Sequence, residues 1–422
     1  MKIALVALQA DALGAGDGTE PESRAGQLSS LVTALTRFNH QVTVYARRDS
    51  AAVPGTSTLA PGVIVERVPA GPPERVPADK LASHAGAFGA YLARRWEDNA
   101  PDIAHAHFWT SGLAALAAAR DLRVPVVQTF HSLQAAGSAD KAAAAGMQAA
   151  GRQAPGRQAA GTARLHLEPM IARKVRAVLA SSSTEMSALT RLGVPRSSLR
   201  LIPRGVDTGK FCPDGPVAPR GSRPRLLCVS PLAPGQGLET VLCALADIPG
   251  AELVIAGGPE RERLRGNRVY RSLVRLAKDV GVRRRVTFHG AVSDGELPAL
   301  LRSADLFVDV PQSEPFSTFA LEAMACGTPV VASAVGSHPD TVVDGTTGIL
   351  VPPASPVTLA KKVRELLASP MLLDGFGIAA ADRAAARYSW ERIVQETLDM
   401  YERSLQGGAS TRAGSADLAA AL

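Results

Sequence analysis

The sequence predicts an α/β protein built from two tandem, doubly wound parallel-sheet lobes. Three observations carry this. Apolar runs of strand length alternate with helix-length segments along the chain. The alternation breaks once, in a Pro- and Gly-rich stretch near the middle, and then resumes. The length of 422 residues, with 46% hydrophobic and 20% charged residues, is enough for about two or three domains with their own cores.

The first series opens at residues 2–8, a continuous apolar run as expected of a strand buried on both faces. Gln9 and Asp11 end it too early for a signal peptide. After a loop, Leu28, Leu31, Val32 and Leu35 recur at i, i+3, i+4 and i+7, which is one face of a helix. Strands follow at 41–46, 63–68, 102–107, 124–130, 177–182 and 198–203, with crossover helices between them. Residues 134–162 are rich in Ala, Gly and Gln and read as a low-complexity insertion in this lobe, 1–205.

Residues 206–224 contain Pro213, Pro216 and Pro219 and read as a linker. The second lobe, 225–385, has strands at 226–230, 252–257, 285–289, 306–310, 329–333 and 348–351. Trp390, Ile393, Val394, Leu398 and Tyr401 then mark an amphipathic helix over 386–405, and 406–422 reads as a frayed tail. Ligands of such sheets bind beyond the carboxyl ends of the strands, here in the cleft between lobes.

Composition narrows the function. No run of about 18 apolar residues occurs, so no transmembrane helix is expected. The net charge is +7 and reads as Arg spread along the chain; with aromatics at 4%, no nucleic-acid partner is expected. The charge permits peripheral contact with an anionic membrane, without a basic amphipathic helix to strengthen it. Cys212, Cys228, Cys243 and Cys326 form no C-x-x-C pair and read as reduced thiols of a cytoplasmic protein. No cluster has metal-ligand spacing.

The sharpest motif runs Glu314-Pro315-Phe316-Ser317-Thr318-Phe319-Ala320-Leu321-Glu322-Ala323-Met324-Ala325-Cys326-Gly327-Thr328-Pro329. A strand precedes it, and a helix from near Phe316 to a left-handed cap at Gly327 fits the pattern. Glu314 then lies in the loop at a strand's carboxyl end and Glu322 about two turns into the helix. Such carboxylates accept hydrogen bonds from sugar or ribose hydroxyls. The spacing equally fits Glu314 as a helix cap and Glu322 as a surface residue.

This E-x7-E motif, with Ala-Met-Ala-Cys-Gly-Thr-Pro-Val-Val-Ala-Ser after it, resembles the retaining glycosyltransferases of family 4, which have the GT-B fold. The resemblance covers nearly the whole chain, through His105-Ala106-His107-Phe108-Trp109, Thr129-Phe130-His131, Ile202-Pro203-Arg204-Gly205-Val206-Asp207 and Val286-Thr287-Phe288-His289-Gly290. It implies a nucleotide-diphosphate sugar as donor substrate, with no cofactor and no metal. Glu322 would hold the ribose and Glu314 the transferred sugar. Phe316, Ser317 and Thr318 would complete the donor site. His131 would face the reacting sugar, although alone it reads as a satisfied histidine after a buried strand. Gly26, His107, Phe108 and Ser132 would form the acceptor side.

The pattern also resembles the inositol-phosphate glycosyltransferases. Phe108 and Ser132 stand where that group holds its acceptor phosphate with Tyr and Thr. Lys80 and Arg164 are further cations for an anionic acceptor.

Two departures bear on turnover. The family's Arg and Lys after the second lobe's first strand, which neutralise the leaving diphosphate, are here Pro231 and Gln236. Losing one such donor costs about 3 kcal/mol in the transition state. The N–H groups around Gln236 and Gly237, ahead of a helix near Leu238, remain to cradle a phosphate. Arg204 reads either as a substitute cation or as a solvated linker residue. The expected function is retaining transfer of a hexosyl-type sugar to the hydroxyl of a small-molecule or glycan acceptor. The alternative is a catalytically impaired relative that binds a sugar or a partner. A phosphorylase needing a Schiff-base lysine fits less well, since Lys278, Lys361 and Lys362 fall on surface helices.

Overall fold

The computed structural model describes residues 1–9, 22–134, 155–313 and 318–406, without side-chain surroundings for 22–27 and 155–162. They fall into two compact units. The first comprises the opening strand, Gly26–Pro203 and residues from Val394 onward; the second comprises Arg204–Ile393.

The first unit is an eight-stranded sheet: β1 Lys2–Ala7, β2 Gln41–Arg47, β3 Thr56–Ala60, β4 Val63–Val68, β5 Ile103–His107, β6 Val126–Thr129, β7 Ala177–Ala180 and β8 Leu199–Leu201. The order is β3-β4-β2-β1-β5-β6-β7-β8. Every pairing is parallel except β3 with β4. β3 is an addition to the strands read from the sequence. It is a half-exposed Thr-Ser-Thr-Leu-Ala segment at the sheet edge, where no apolar run is needed.

Phe88, Leu92, Trp96, Ile103 and Phe130 are sealed in this unit's core. Gly89 lets the helices Ala85–Asp98 and Trp109–Ala119 meet, since a Cβ there would lie 2.9 Å from the Ala114 carbonyl oxygen. The last residues of the expected insertion begin the helix Pro155–Lys174. Residues 135–154 lie outside the described residues.

The second unit is a six-stranded parallel sheet: β9 Arg225–Val229, β10 Glu252–Ala256, β11 Val286–Gly290, β12 Leu306–Asp309, β13 Val330–Ser333 and β14 Gly348–Val351, in the order β11-β10-β9-β12-β13-β14. Alternate residues feed two cores because strand side chains alternate faces. Leu226, Cys228, Leu253 and Ile255 pack on one side, and Leu227, Val229, Val254 and Phe307 on the other. The stretch read as a linker is more than a spacer, because Val206 and Phe211 are buried in the second of these cores.

The final helix, Trp390–Gln406, begins in the second unit. Gly205 packs so tightly on the Trp390 ring that a Cβ would lie 2.6 Å from it. From Val394 the helix belongs to the first unit, where the Tyr401 hydroxyl meets His105 Nδ1 at 2.7 Å.

Candidate donor and acceptor sites

In the second unit, the loop after β9 carries the residues at the expected cation positions. Gly237 has φ +75° and caps the helix Leu238–Ala246. A Cβ on Gly237 would lie 1.8 Å from the Val310 carbonyl oxygen, and Gln312 N–H donates to the Gly235 carbonyl at 2.9 Å. The loop is thereby held against the carboxyl end of β12, with the helix N-terminus behind it. Gln236 Oε1 accepts from Ser230 Oγ at 3.3 Å. Position 231 is proline, so neither position supplies a positive charge.

Beyond β12, Glu314, Phe316 and Ser317 lie outside the described residues. The helix is described over Thr318–Ala325, which puts Glu322 in its second turn and ends it at Gly327, φ +74°, the left-handed cap the sequence predicts. Thr318 Oγ1 and Glu322 Oε2 are both buried and without a hydrogen-bond partner among the described residues. They are four residues apart and so share one helix face. Burial pushes the Glu322 carboxyl up to about 8; the Asp294 carboxylate adds to this and the Lys210 ammonium opposes it. Glu322 is therefore no solvated surface residue.

Lys210, which the sequence reading passed over, pairs with Asp294 at 2.5 Å and lies 5.1 Å from the Phe211 ring centre. Its partner is 84 residues away, so no local pattern signals it. Arg204 is 7% exposed, which rules out the solvated-linker reading. His338 has a structural role: Nδ1 contacts the Ser333 carbonyl at 2.8 Å and Nε2 contacts Asp309 at 3.2 Å, tying the ends of β12 and β13 together. An open hollow of about 730 Å³ bordered by Pro213, Cys326, Pro329 and Leu373 lies at the amino ends of those strands, away from these loops.

In the first unit, β5 and β6 pair in parallel with His107 opposite Thr129. That register brings a histidine cluster together. The His105 and His107 rings are 4.2 Å apart, as their alternation on the strand requires. His105 Nε2 meets Thr129 Oγ1 at 2.8 Å, and His107 Nδ1 meets His131 Nε2 at 2.9 Å. The Phe108 ring lies 4.6 Å from that of His131. Phe108 and His131 both have positive φ, +69° and +59°, and such strain concentrates at functional sites. Burial holds His105 well below the usual imidazole range and His107 down at about 3, so both are neutral near pH 7.

Ser132 is fixed by Arg164, whose Nη2 donates to the Ser132 carbonyl at 2.5 Å and to its Oγ at 3.0 Å. Arg164 Nε also donates to Glu168 at 2.5 Å, and Glu168 accepts from Gln134 N–H at 2.9 Å. Lys80 is exposed on the short helix Ala78–His84. Gly26 lies in the helix Glu22–Thr36, and its surroundings are outside the described residues.

Two tandem parallel-sheet units, with a buried carboxylate on a helix following a strand end of the second, define a glycosyltransferase of GT-B type. The family model "Glycosyltransferase Family 4" matches residues 27–210 and "Glycosyl transferases group 1" matches 216–383. The chain belongs to glycosyltransferase family 4. It is 32% identical over 404 residues to a D-inositol 3-phosphate glycosyltransferase of Catenulispora acidiphila, covering 90% of this chain and 91% of that protein. It is also 32% identical to the D-inositol 3-phosphate glycosyltransferase of Mycolicibacterium smegmatis, over 88% of this chain and 84% of the other. Among solved structures, sucrose-phosphate synthase from Thermosynechococcus elongatus superposes with a TM-score of 0.81 at 27% identity, covering 96% of this chain and 100% of that one. Anabaena HepE, solved with UDP-glucose, shares the fold at a TM-score of 0.68 and 19% identity, over 96% of this chain and all of its own. Among the described residues, no helix is long and apolar enough to cross a membrane.

Proposed function

We propose that the protein is a retaining hexosyltransferase that moves a sugar from a nucleotide-diphosphate sugar to a hydroxyl of an anionic small-molecule acceptor. The observation that carries this is the pair of oxygens on Thr318 and Glu322 that are buried and have no hydrogen-bond partner among the described residues. A buried polar atom without a partner is costly in a folded protein, and a bound hydroxyl removes the cost. Ribose hydroxyls on Glu322 fill that role. Glu314 takes the hydroxyls of the transferred sugar. The acceptor hydroxyl attacks on the face from which the diphosphate departs, and a phosphate oxygen accepts its proton, so no protein base is required. The N–H groups ahead of Leu238 stabilise the leaving diphosphate.

An anionic acceptor is supported by relatives named for D-inositol 3-phosphate. Phe108 offers no hydroxyl, so one polar contact to that acceptor is replaced by an apolar one. The four cysteines are free, in keeping with a reducing cytoplasm.

Titration calorimetry with UDP, GDP, ADP and their sugar conjugates tests this reading. Micromolar affinity for one of them supports it and names the donor. The second reading, a sugar- or partner-binding relative without turnover, is favoured by Pro231 and Gln236. No binding at millimolar nucleotide selects that second reading. Restoration by Pro231→Arg with Gln236→Lys would then assign the loss to those two positions.

A further inference from the structure

One crossover of the second unit is densely basic. From Glu260 to Arg285 the chain carries ten Lys and Arg against three Asp and Glu, which leaves 36 of the 46 cations and 36 of the 39 acids elsewhere. The expectation that no basic amphipathic helix exists is corrected accordingly.

This segment is the crossover between β10 and β11, and β11 is an edge strand of its sheet. It consists of a turn, Arg261–Gly266, the helix Arg268–Asp279 and a second turn, Arg283–Arg285. The helix is two-faced. Leu273 and Ala277 are buried, and Tyr270 packs edge-on against Phe288 with ring centres 4.9 Å apart. Arg268, Arg271, Arg275 and Lys278 are exposed at i, i+3, i+7 and i+10, which is a single outward face. Three more exposed Arg residues lie in the preceding turn.

Among the described residues, none of these seven side chains is part of an ion pair. Arg285 is the contrast: its guanidinium donates to the carbonyls of Leu245, Ile248 and Ala251, as a structural arginine does. Like charges one turn apart repel and destabilise a helix, so the fold gains nothing from the outward stripe.

We propose that this face docks on an anionic lipid bilayer. The four helix cations span about 15 Å along the axis, a straight row that suits a broad surface of phosphates. No apolar residue lies among them, so the helix rests on the headgroups without inserting. Its one aromatic is turned inward, which leaves nothing to stack on nucleic-acid bases. A negative bilayer supplies a continuous potential that attracts such a cluster. The proposal is independent of how the donor site works.

The test is co-sedimentation of the full chain with phosphatidylcholine vesicles, with and without about 30 mol% phosphatidylglycerol. Binding is expected only to the anionic vesicles, and to vanish near 1 M salt, where the Debye length is about 3 Å. Arg268→Glu, Arg271→Glu, Arg275→Glu and Lys278→Glu together should weaken partitioning at least about tenfold. A control of equal charge change, Arg94→Glu, Arg120→Glu, Arg191→Glu and Arg196→Glu, should weaken it less than about threefold. If the fourfold Glu variant fails to fold, the same four positions changed to Gln give the reading. The proposal is overturned by equal losses in patch and control, by no binding to anionic vesicles, or by patch-dependent binding to a DNA duplex without vesicle binding.

Discussion

Gly237 faces the Val310 carbonyl so closely that a Cβ would lie 1.8 Å from its oxygen. This contact joins the loop after β9 to the end of β12, and its left-handed φ of +75° adds a second demand for glycine. Gly237→Ala should cost about 1–3 kcal/mol from the φ alone, with the clash in addition. Thermal melting checks this, and calorimetry should show the same variant losing nucleotide affinity. A melting temperature within a degree of the parent would contradict the close approach.

On the proposed donor site, Glu322 should give nucleotide binding a defined pH dependence. Its carboxyl is held at about 8 in the unliganded protein, so it is mostly protonated at pH 7. Hydroxyl donors favour the charged form, so binding lowers that value and releases a proton. Affinity should therefore rise with pH up to about 8 and then level, by at most about tenfold per unit. Glu322→Gln should weaken binding and flatten the profile. Calorimetry in buffers of different ionisation enthalpy measures the released proton directly.

The buried histidines set the response to acid. His107 is held at about 3, against an ordinary 6.5, and His105 is lowered as well. Groups that protonate only in the unfolded chain contribute stability that is complete above pH 6.5 and is lost as the pH falls below it. Each contributes a slope of up to about 1.4 kcal/mol per pH unit. Urea unfolding between about pH 7.5 and 5 should show this decline, and His107→Asn should remove one proton from the slope.

Arg164 holds Ser132 from a helix further along the chain. Arg164→Ala removes both bonds to Ser132 and the ion pair to Glu168, whose side chain is fully buried. The expected loss is about 2 kcal/mol of stability, read by denaturant unfolding. Arg164→Lys should recover only part of it, because an ammonium cannot span both partners as the guanidinium fork does.

The strands were legible because each is a short apolar run bounded by turn residues, as residues 306–310 illustrate. β3 was not, since an edge strand of Thr, Ser and Ala buries too little to require such a run. His105 and His107 could be placed on one side from strand alternation alone. The bond from His107 to His131 needed the β5–β6 register, which no local pattern states. Arg164 with Ser132, and Lys210 with Asp294, are contacts across 32 and 84 residues, and charge alone does not choose such partners. The basic crossover was fully visible in the sequence; averaging the charge over the whole chain concealed it.

The density of positive charge on this crossover also governs how the molecule is approached. Because this patch lies on the crossover to an edge strand, its field adds a dipole component to that of the net charge of +7. A dipole rotates in an external field before contact is made, so encounters with an anionic surface are sorted by orientation during diffusion. That sorting should appear as an association rate that falls with ionic strength, in step with a screening length of about 8 Å at 0.15 M salt.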